Sequence, residues 1–351
     1  MWSRNKLTER LKLEFPIFQA PMAEFTTPEL AAAVSNAGGL GALGMWGLSA
    51  EDVITRIEGF REQSSGSLNV NYPLWKAPGD LTGVGLPMRE CVQKLYDEKK
   101  LGSIPTPSAS PGKLDPEHLE VLIEVNPEVI SFHFGLPEQK IVDELKAAGI
   151  YILCSATTVS EAKFLEASGV DCVIAQGIEA GGHRGTFSDV DISMQSGLFS
   201  LLPQVVDAVN VPVIAAGGIS DGRTMAAALM LGASGVLVGT AFLCCGEAKV
   251  PDAHRLALSN AQEASTIFTN VISGVHARFI KNRLIEELSK SGVKPLPFPA
   301  QYSLTLPLGE TGDKEFTDLL SGQSVALTRE MSAADLVHTL AEETGKCLNS
   351  F

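Results

Sequence analysis

The strongest constraint on the fold is a regular alternation of short apolar runs and helix-like segments. Eight apolar runs have the length and composition of buried strands, and each is followed by a helix pattern or by room for one. The predicted strands are Pro16–Met22, Leu40–Met45, Leu68–Tyr72, Val129–Phe134, Tyr151–Ala156, Cys172–Gln176, Val211–Ala216 and Gly235–Leu243. Most units recur after roughly 20 to 27 residues, as short connections around one helix require. Eight such units predict an α/β fold, the TIM (β/α)8 barrel.

Residues 75–125 depart from this alternation. They include Leu101–Leu114, in which proline, serine and glycine are incompatible with a regular element. We interpret the segment as an excursion from the barrel that lies over one mouth.

The last part of the chain also changes character. Asn270–Ser289 has a helix-like pattern, and a capping box begins the predicted helix Ser332–Thr344. We therefore predict a barrel of residues 1–265, including the excursion. We further predict a smaller, mainly helical cap of residues 266–351 that packs on the barrel mouth together with the excursion.

A doubly wound open sheet is the structural alternative, since it also alternates strands and helices. The pattern Gly39-x-Gly41-x-x-Gly44 matches a dinucleotide-binding fingerprint. That mechanism needs a strand before the glycines and a helix after them, whereas here they follow a predicted helix and fall within a predicted strand. We interpret the match as fortuitous.

Charge and cysteine content limit the partners. The chain carries 27 Lys and Arg against 41 Asp and Glu, a formal charge of -14, which disfavours nucleic acid and anionic membrane surfaces. The six cysteines have no CxxC spacing, and the N-terminal segment lacks the apolar core of a signal peptide. These features predict a cytoplasmic protein without a membrane partner.

Two glycine-bearing segments follow or end the last two predicted strands. Gly217-Gly218 comes after the seventh strand and Gly239-Thr240 lies in the run of the eighth, where such barrels bind phosphate through backbone N–H groups. Each glycine alone is equally consistent with a tight turn or close packing. The pair in consecutive units favours a phosphorylated ligand.

The stretch QGIEAGGHRG, Gln176 to Gly185, follows the sixth predicted strand. Its glycines would allow the backbone to approach a flat ligand, and Gln176 can both donate and accept hydrogen bonds at a ring edge. His183 is a candidate for proton transfer at neutral pH. The alternative is a loop histidine that only anchors backbone.

Three other residues are weaker candidates. His133 faces away from its aromatic neighbours in the fourth strand, and lies either in the site or in a structural position. Asn71 could bind a ligand or form an Asx turn, and Met22 could lie against a ring or fill a gap. The remaining histidines are predicted to lie on the surface: His118, His254, His276 and His338. No spacing indicates a metal site or an acyl-transfer serine.

Together these segments resemble the nitronate monooxygenase family, formerly the 2-nitropropane dioxygenases, which are FMN-containing TIM-barrel enzymes. The resemblance covers nearly the whole chain. It is carried by QAPM (19–22), VNY (70–72), SFHFGLP (131–137), QGIEAGGHRG (176–185), PVIAAGGISDGR (212–223), GVLVGTAF (235–242) and SGQSVALTREMSAADLV (321–337).

The resemblance implies roles for individual residues. His183 matches the family's catalytic histidine, and His133 and Tyr302 are expected to line the substrate site. The expected FMN-binding residues are Met22, Asn71, Gln176, Gly181, Gly182, Gly217, Gly218, Leu237, Val238, Gly239 and Thr240. No metal is implied.

The implied reaction is the FMN-dependent oxidation of alkyl nitronates by O2 to a carbonyl compound and nitrite. The SFHFG segment points to a small anionic substrate such as propionate 3-nitronate. The alternative is an NAD(P)H-dependent flavin reductase of the enoyl-acyl-carrier or quinone reductase type, because those enzymes share an EAGGH-type loop. A flavin-free sugar-phosphate isomerase or lyase and a non-catalytic flavin-binding module are further alternatives.

Overall fold

The computed structural model describes residues 2–350, which contain eleven strands. They are β1 (Ile17–Gln19), β2 (Gly41–Gly44), β3 (Leu68–Pro73), β4 (Val129–His133), β5 (Tyr151–Ala156), β6 (Cys172–Gln176), β7 (Gly182–His183), β8 (Val213–Ala216), β9 (Gly235–Val238), β10 (Thr266–Thr269) and β11 (Ala277–Ile280). Every predicted strand overlaps one of the barrel strands, and β5 and β6 have the predicted limits.

The helices are α1 (Lys6–Leu11), α2 (Pro28–Asn36), α3 (Ala50–Arg61), α4 (Leu86–Lys99), α5 (Pro116–Val125), α6 (Gln139–Ala147), α7 (Val159–Ala167), α8 (Leu198–Val206), α9 (Gly222–Met230), α10 (Thr240–Leu243), α11 (Asp252–Asn260), α12 (Arg283–Lys290), α13 (Ala300–Gly309) and α14 (Ala333–Asn349). Within residues 2–350, no helix has both the length and the apolar character needed to cross a bilayer.

Eight parallel strands form the central sheet in the order β1-β9-β8-β6-β5-β4-β3-β2. A short parallel bridge joins β1 to Leu40, just before β2, and completes the ring. There the Gln19 N–H donates to the Leu40 carbonyl at 2.9 Å and the Leu40 N–H donates to the Ile17 carbonyl at 2.9 Å. The predicted TIM-barrel fold is confirmed, and the doubly wound alternative is wrong.

Strand alternation divides the apolar residues between two faces of the barrel. Side chains that point inward, such as Phe18, Leu153 and Ile174, pack with Leu7 and Leu11 of α1, which closes one end of the interior. Side chains that point outward form the larger core between the strands and the surrounding helices. Polar inward residues such as Asn71, His133 and Gln176 lie toward the carboxyl ends of their strands, and this end carries the site.

A second apolar core lies in the elements that cover the carboxyl ends. Helix α4 from the excursion packs with α12 and α13, through residues such as Met88, Leu288 and Leu304. The predicted helix Asn270–Ser289 is wrong over most of its length, because β11 pairs with both β10 and β7 in a three-stranded antiparallel sheet. This tertiary pairing outweighs the local helix-like pattern. The cap therefore combines helices with a small sheet.

The last helix is an outer element of the barrel. Helix α14 packs against α9 and α2, so it does not lie on the barrel mouth as predicted for residues 266–351. The division of the chain near residue 265 stays a prediction.

The structure also tests the limits of the eighth predicted strand and the glycine pattern at residues 39–44. The predicted strand Gly235–Leu243 is too long, because the extended chain ends at Gly239 and α10 follows. In the Gly39-x-Gly41-x-x-Gly44 pattern, Gly41 and Gly44 lie within β2, so the pattern forms no strand-to-helix turn.

Gly41 instead allows α2 to pack closely on β2. A Cβ at this position would overlap the backbone carbonyl of Ala31, which cannot move as a side chain could. We expect Gly41→Ala to lower the free energy of unfolding by about 3 kcal/mol, at the upper end of overpacking effects. Urea unfolding checks this, with Gly246→Ala as the control because a Cβ there meets nothing within 4 Å. Equal stability of the two variants would contradict the packing role.

Candidate active site

One cavity opens at the carboxyl ends of the barrel strands, under the cap. It brings together nearly all of the residues singled out from the sequence. Those that line it are Met22, Asn71, His133, Gln176, Gly181, Gly182, His183, Gly217, Gly218, Leu237, Gly239, Thr240 and Tyr302.

Val238 is the exception among the predicted cofactor-binding residues. Its side chain is fully buried in the outer core, between the barrel and its helices. Alternation along β9 explains this, because Leu237 points inward while Val236 and Val238 point outward. The Val238 side chain therefore cannot contact a ligand in the cavity, and a cofactor-binding role for its backbone stays a prediction.

The backbone of His183 is held from two sides. Its carbonyl accepts hydrogen bonds from His133 Nε2 at 3.0 Å and from Gln176 Nε2 at 3.1 Å, both on barrel strands. On the other side, β7 pairs with β11 of the cap, with His183 opposite Ala277. The Gly185 N–H donates to Gln176 Oε1 at 2.8 Å. Both polar ends of the Gln176 side chain are therefore engaged with its own loop.

His133 is placed inside the barrel mouth by alternation in β4. Because its Nε2 donates to a carbonyl, the neutral ring accepts at Nδ1 from the Ser155 hydroxyl, 3.1 Å away. Burial lowers the pKa of His133 to about 4, which keeps the ring neutral at physiological pH. His133 thus positions the backbone of His183.

The imidazole of His183 is the unpaired polar group of the cavity. Its Nε2 is buried and has no hydrogen-bond partner within residues 2–350. Burial, assisted by His133, lowers the pKa of His183 to about 3, so the ring is neutral and free to donate or to accept. Its neighbours are the rings of Phe298, at a centroid distance of 5.4 Å, and Tyr302, at 6.4 Å.

Two buried charges hold the loop that carries His183. Arg184, 2% exposed, donates to the carbonyls of Gln176 and Thr157 and to the Gln195 side chain. Glu161 accepts from the backbone and hydroxyl groups of the chain just beyond, including both donors of Ser188. Burial opposes ionisation of Glu161, but these hydrogen bonds prevail and its pKa is lowered. The loop is therefore rigidly attached to the barrel.

At the ends of β8 and β9 the cavity is lined by Gly217, Gly218, Gly239 and Thr240, which we call the anion cradle. Their binding of a phosphate stays a prediction. Gly217 and Gly218 have φ of +104° and +71°, a backbone conformation that favours glycine. The backbone N–H groups of Gly218, Gly239 and Thr240 line the cavity and have no acceptor within residues 2–350. Gly239 and Thr240 begin the helical turn α10, and Gly218 follows β8. Unpaired backbone donors of this kind are suited to binding an anion.

A segment near the carboxyl end completes this cradle. The Gly322 N–H donates to Thr240 Oγ1 at 2.9 Å, and Ser324 Oγ donates to the Gly218 carbonyl at 2.8 Å. The sequence pattern assigned no contact to this segment, although it belongs to a stretch that carries the family resemblance.

An aromatic wall, missed by sequence reasoning except for Tyr302, lines the cavity beside His183. We define it as Trp46, Trp75, Phe134, Phe298 and Tyr302, whose neighbouring ring centroids lie 4.9 to 6.1 Å apart. These rings come from separate loops and from the cap, so no local pattern connects them. They form an apolar surface of the cavity that begins beside His183.

Two carboxyl groups lie at the edge of this wall. Tyr302 OH donates to Asp318 Oδ2 at 2.9 Å, and Glu24 lies nearby at the more exposed rim. Burial and the Glu24 charge raise the pKa of Asp318 to about 6, although the Tyr302 hydrogen bond opposes the shift. No sequence motif marks either Asp318 or Glu24 as a site residue.

Polar residues on one face of β3 are a further sequence indication of the site. Asn69 and Asn71 are two residues apart in β3, so both point into the barrel, and both line the cavity. Asn71 Nδ2 donates to Ser131 Oγ at 2.9 Å. Asn69 Oδ1 is buried without a partner within residues 2–350, which makes it a second unpaired group in the site.

One predicted surface histidine is buried. His254, in α11, is 0% exposed, and its Nε2 donates to the Leu320 carbonyl at 3.0 Å. The surface prediction for His254 is wrong because the ring packs against Phe25, at a centroid distance of 5.5 Å, and bonds to the Leu320 backbone.

The fold and the position of this cavity define a (β/α)8-barrel enzyme with its site at the carboxyl ends of the strands. The description "Nitronate monooxygenase" belongs to the family profile that matches residues 4–343. The chain belongs to the nitronate monooxygenase family, and it is an oxidoreductase of that family. Enzymes of this family use a flavin.

Individual relatives agree with the family assignment. Probable nitronate monooxygenases of Staphylococcus aureus are 36% identical in strain JH9 and 37% in strain MSSA476, with 99% of both chains covered. The solved nitroalkane oxidase of Streptomyces ansochromogenes is similar with a TM-score of 0.89, 36% identity and 99% of both chains covered. FabK of Thermotoga maritima is similar with a TM-score of 0.77 and 29% identity, over 99% of this chain and 98% of that one.

The raised pKa of Asp318 has a consequence for stability. Ionising Asp318 costs free energy in the folded state, so its contribution to stability is lost as the pH rises from 3.8 to about 6. Asp318→Asn keeps an acceptor for Tyr302 and removes this pH dependence. We expect the variant to gain on the order of 2 kcal/mol relative to wild type between about pH 4.5 and about pH 7.5.

Urea unfolding at the two pH values measures this difference, with the exposed Glu263→Gln as the charge-matched control. A constant difference between Asp318→Asn and wild type would contradict the raised pKa.

Proposed function

We propose that the chain catalyses the FMN-dependent oxidation of alkyl nitronates by O2 to a carbonyl compound and nitrite. The observation that carries the proposal is the neutral, unpartnered Nε2 of His183 in a cavity that also holds an anion cradle. Membership of the nitronate monooxygenase family supports it. The resemblance adds propionate 3-nitronate as one expected substrate.

The residues that line the cavity fit FMN in particular. The free N–H groups of Gly218, Gly239 and Thr240 suit a terminal phosphate, which a dinucleotide would not present. Gly181 and Gly182 expose backbone to the cavity, and Met22 supplies an apolar contact. Bound FMN would supply the acceptor for electrons that leave the substrate.

His183 would bind the reacting group. With the proton on Nε2, the neutral ring donates a hydrogen bond to an oxygen of the nitronate anion. With Nε2 unprotonated, the same atom accepts the proton next to the nitro group of a neutral nitroalkane. A nitronate anion beside the ring raises the pKa of His183 from its low value. This strengthens the hydrogen bond that the ring donates to the anion. The aromatic wall would exclude water from the substrate.

Anaerobic reduction of the bound flavin distinguishes this function from the reductase alternative. The nitronate of 1-nitropropane should bleach the flavin, and in air it should yield nitrite with oxygen uptake. Rapid bleaching by NADPH or NADH, without a response to the nitronate, would indicate a flavin reductase instead. A purified protein that releases no flavin on denaturation would indicate a flavin-free barrel.

His183→Ala should retain FMN and lose activity. We expect kcat with the nitronate of 1-nitropropane to fall by about 100-fold or more, the scale of one acid–base or hydrogen-bonding group. Flavin content and turnover are the two measurements, and the exposed His338→Ala is the matched control. Full activity in His183→Ala would exclude this role.

A further inference from the structure

We propose that the cavity at the barrel mouth, called the chamber below, selects nitronates whose carbon chain is uncharged and rejects those whose chain carries a carboxylate. In contrast to the expectation from the family resemblance, propionate 3-nitronate would then be a poor substrate, and short nitronates with a neutral chain would be good ones. This inference rests on the proposed function and narrows its substrate class.

The first observation is the surface that the substrate's carbon chain would meet. Phe298 contacts Trp75 at a centroid distance of 4.9 Å and His183 at 5.4 Å, so the aromatic wall begins directly beside the imidazole. Trp75 directs its indole Nε1 away, to the Ser110 carbonyl at 3.0 Å. The chain of a nitronate held at His183 therefore lies against apolar rings.

The second observation is the sign of the charges at this wall. Tyr302 bonds to Asp318, and Glu24 stands at the rim, so both ionisable acids of the lining are at the same edge. The Tyr302 hydroxyl is committed to Asp318 as a donor. A substrate carboxylate at this edge would meet two negative charges and no free tyrosine proton.

The third observation is that no lysine or arginine within residues 2–350 lines the cavity. Three guanidinium groups that bond to the loops around the cavity donate to backbone carbonyls. Arg184 donates to the Gln176 carbonyl, and Arg278 donates to the Ile178 carbonyl at 2.8 Å. Arg56 donates to the carbonyls of Ala23 and Thr26. Arg56 also interacts with Glu24, which makes it a partner of the acidic rim rather than a receptor for an anion.

The surroundings of the His183 Nε2 and those of the Tyr302–Asp318 pair therefore differ in charge. At His183, the unpartnered Nε2 and the buried Arg184 behind the loop can accommodate the charge of the nitronate. At Tyr302, a second anion would be desolvated against aromatic rings and would be repelled by Asp318 and Glu24. Selectivity of this kind arises from the repulsive element as much as from attraction.

The test compares two nitronates of the same shape and different charge. The nitronate of 3-nitropropionamide is the neutral-chain counterpart of propionate 3-nitronate. With the flavin-loaded enzyme at about pH 7.5, where Asp318 is ionised, we expect kcat/KM to be at least about tenfold higher for the amide. Equal or higher kcat/KM for propionate 3-nitronate would overturn the inference.

Variants identify the residues responsible. Asp318→Asn combined with Glu24→Gln should bring the ratio of the two kcat/KM values close to one, mainly by improving KM for propionate 3-nitronate. Glu263→Gln removes an exposed charge elsewhere and should leave the ratio unchanged. A ratio that the double variant leaves unchanged would overturn the assignment to these acids.

A binding measurement separates this inference from the proposed function. Trp46 and Trp75 line the chamber, so tryptophan fluorescence can report the binding of 3-nitropropionamide and 3-nitropropionate without turnover. Absence of turnover with every nitronate, including that of 1-nitropropane, would refute the proposed function alone. Tighter binding of the amide would still support the selectivity, and tighter binding of the carboxylate would overturn it.

Discussion

The site depends on the two hydrogen bonds that converge on the carbonyl of His183. His133 and Gln176 reach it from neighbouring inward positions of the barrel, while β7 binds the same residue to the cap through β11. The imidazole of a histidine on an unattached loop would hydrogen-bond to other protein groups or to water. Held in this way, the ring is buried with Nε2 unpaired, and burial lowers its pKa. The barrel and the cap therefore both bind the residue that carries the unpaired imidazole nitrogen.

The barrel could be predicted from the sequence because its signals are local. Strands such as Cys172–Gln176 are buried on both faces and appear as continuous apolar runs between helix patterns. The strand Ala277–Ile280 could not be recognised in the same way, because its formation depends on pairing with Gly182–His183, far away in the sequence. The cap was therefore predicted to be more helical than it is.

The same distinction applies to the site. The glycines of the cradle and His183 stand in short stretches that follow strands, so their chemistry could be inferred from neighbouring residues. Asp318 and Phe298 have no such context, and only the folding of the cap brings them to the chamber. Val238 shows the limit of assigning a whole stretch to a site, since the alternation of β9 turns it outward.

The separate apolar core of the cap has a dynamic consequence. Elements with their own core can open as a unit at a lower free energy than global unfolding requires. Tyr302 lies on α13, within that unit, whereas His133 and Gln176 belong to the barrel. Opening of the cap would uncover the chamber and leave the barrel strands intact. Such an opening would give substrate and product a route of exchange that depends on the packing of α4, α12 and α13.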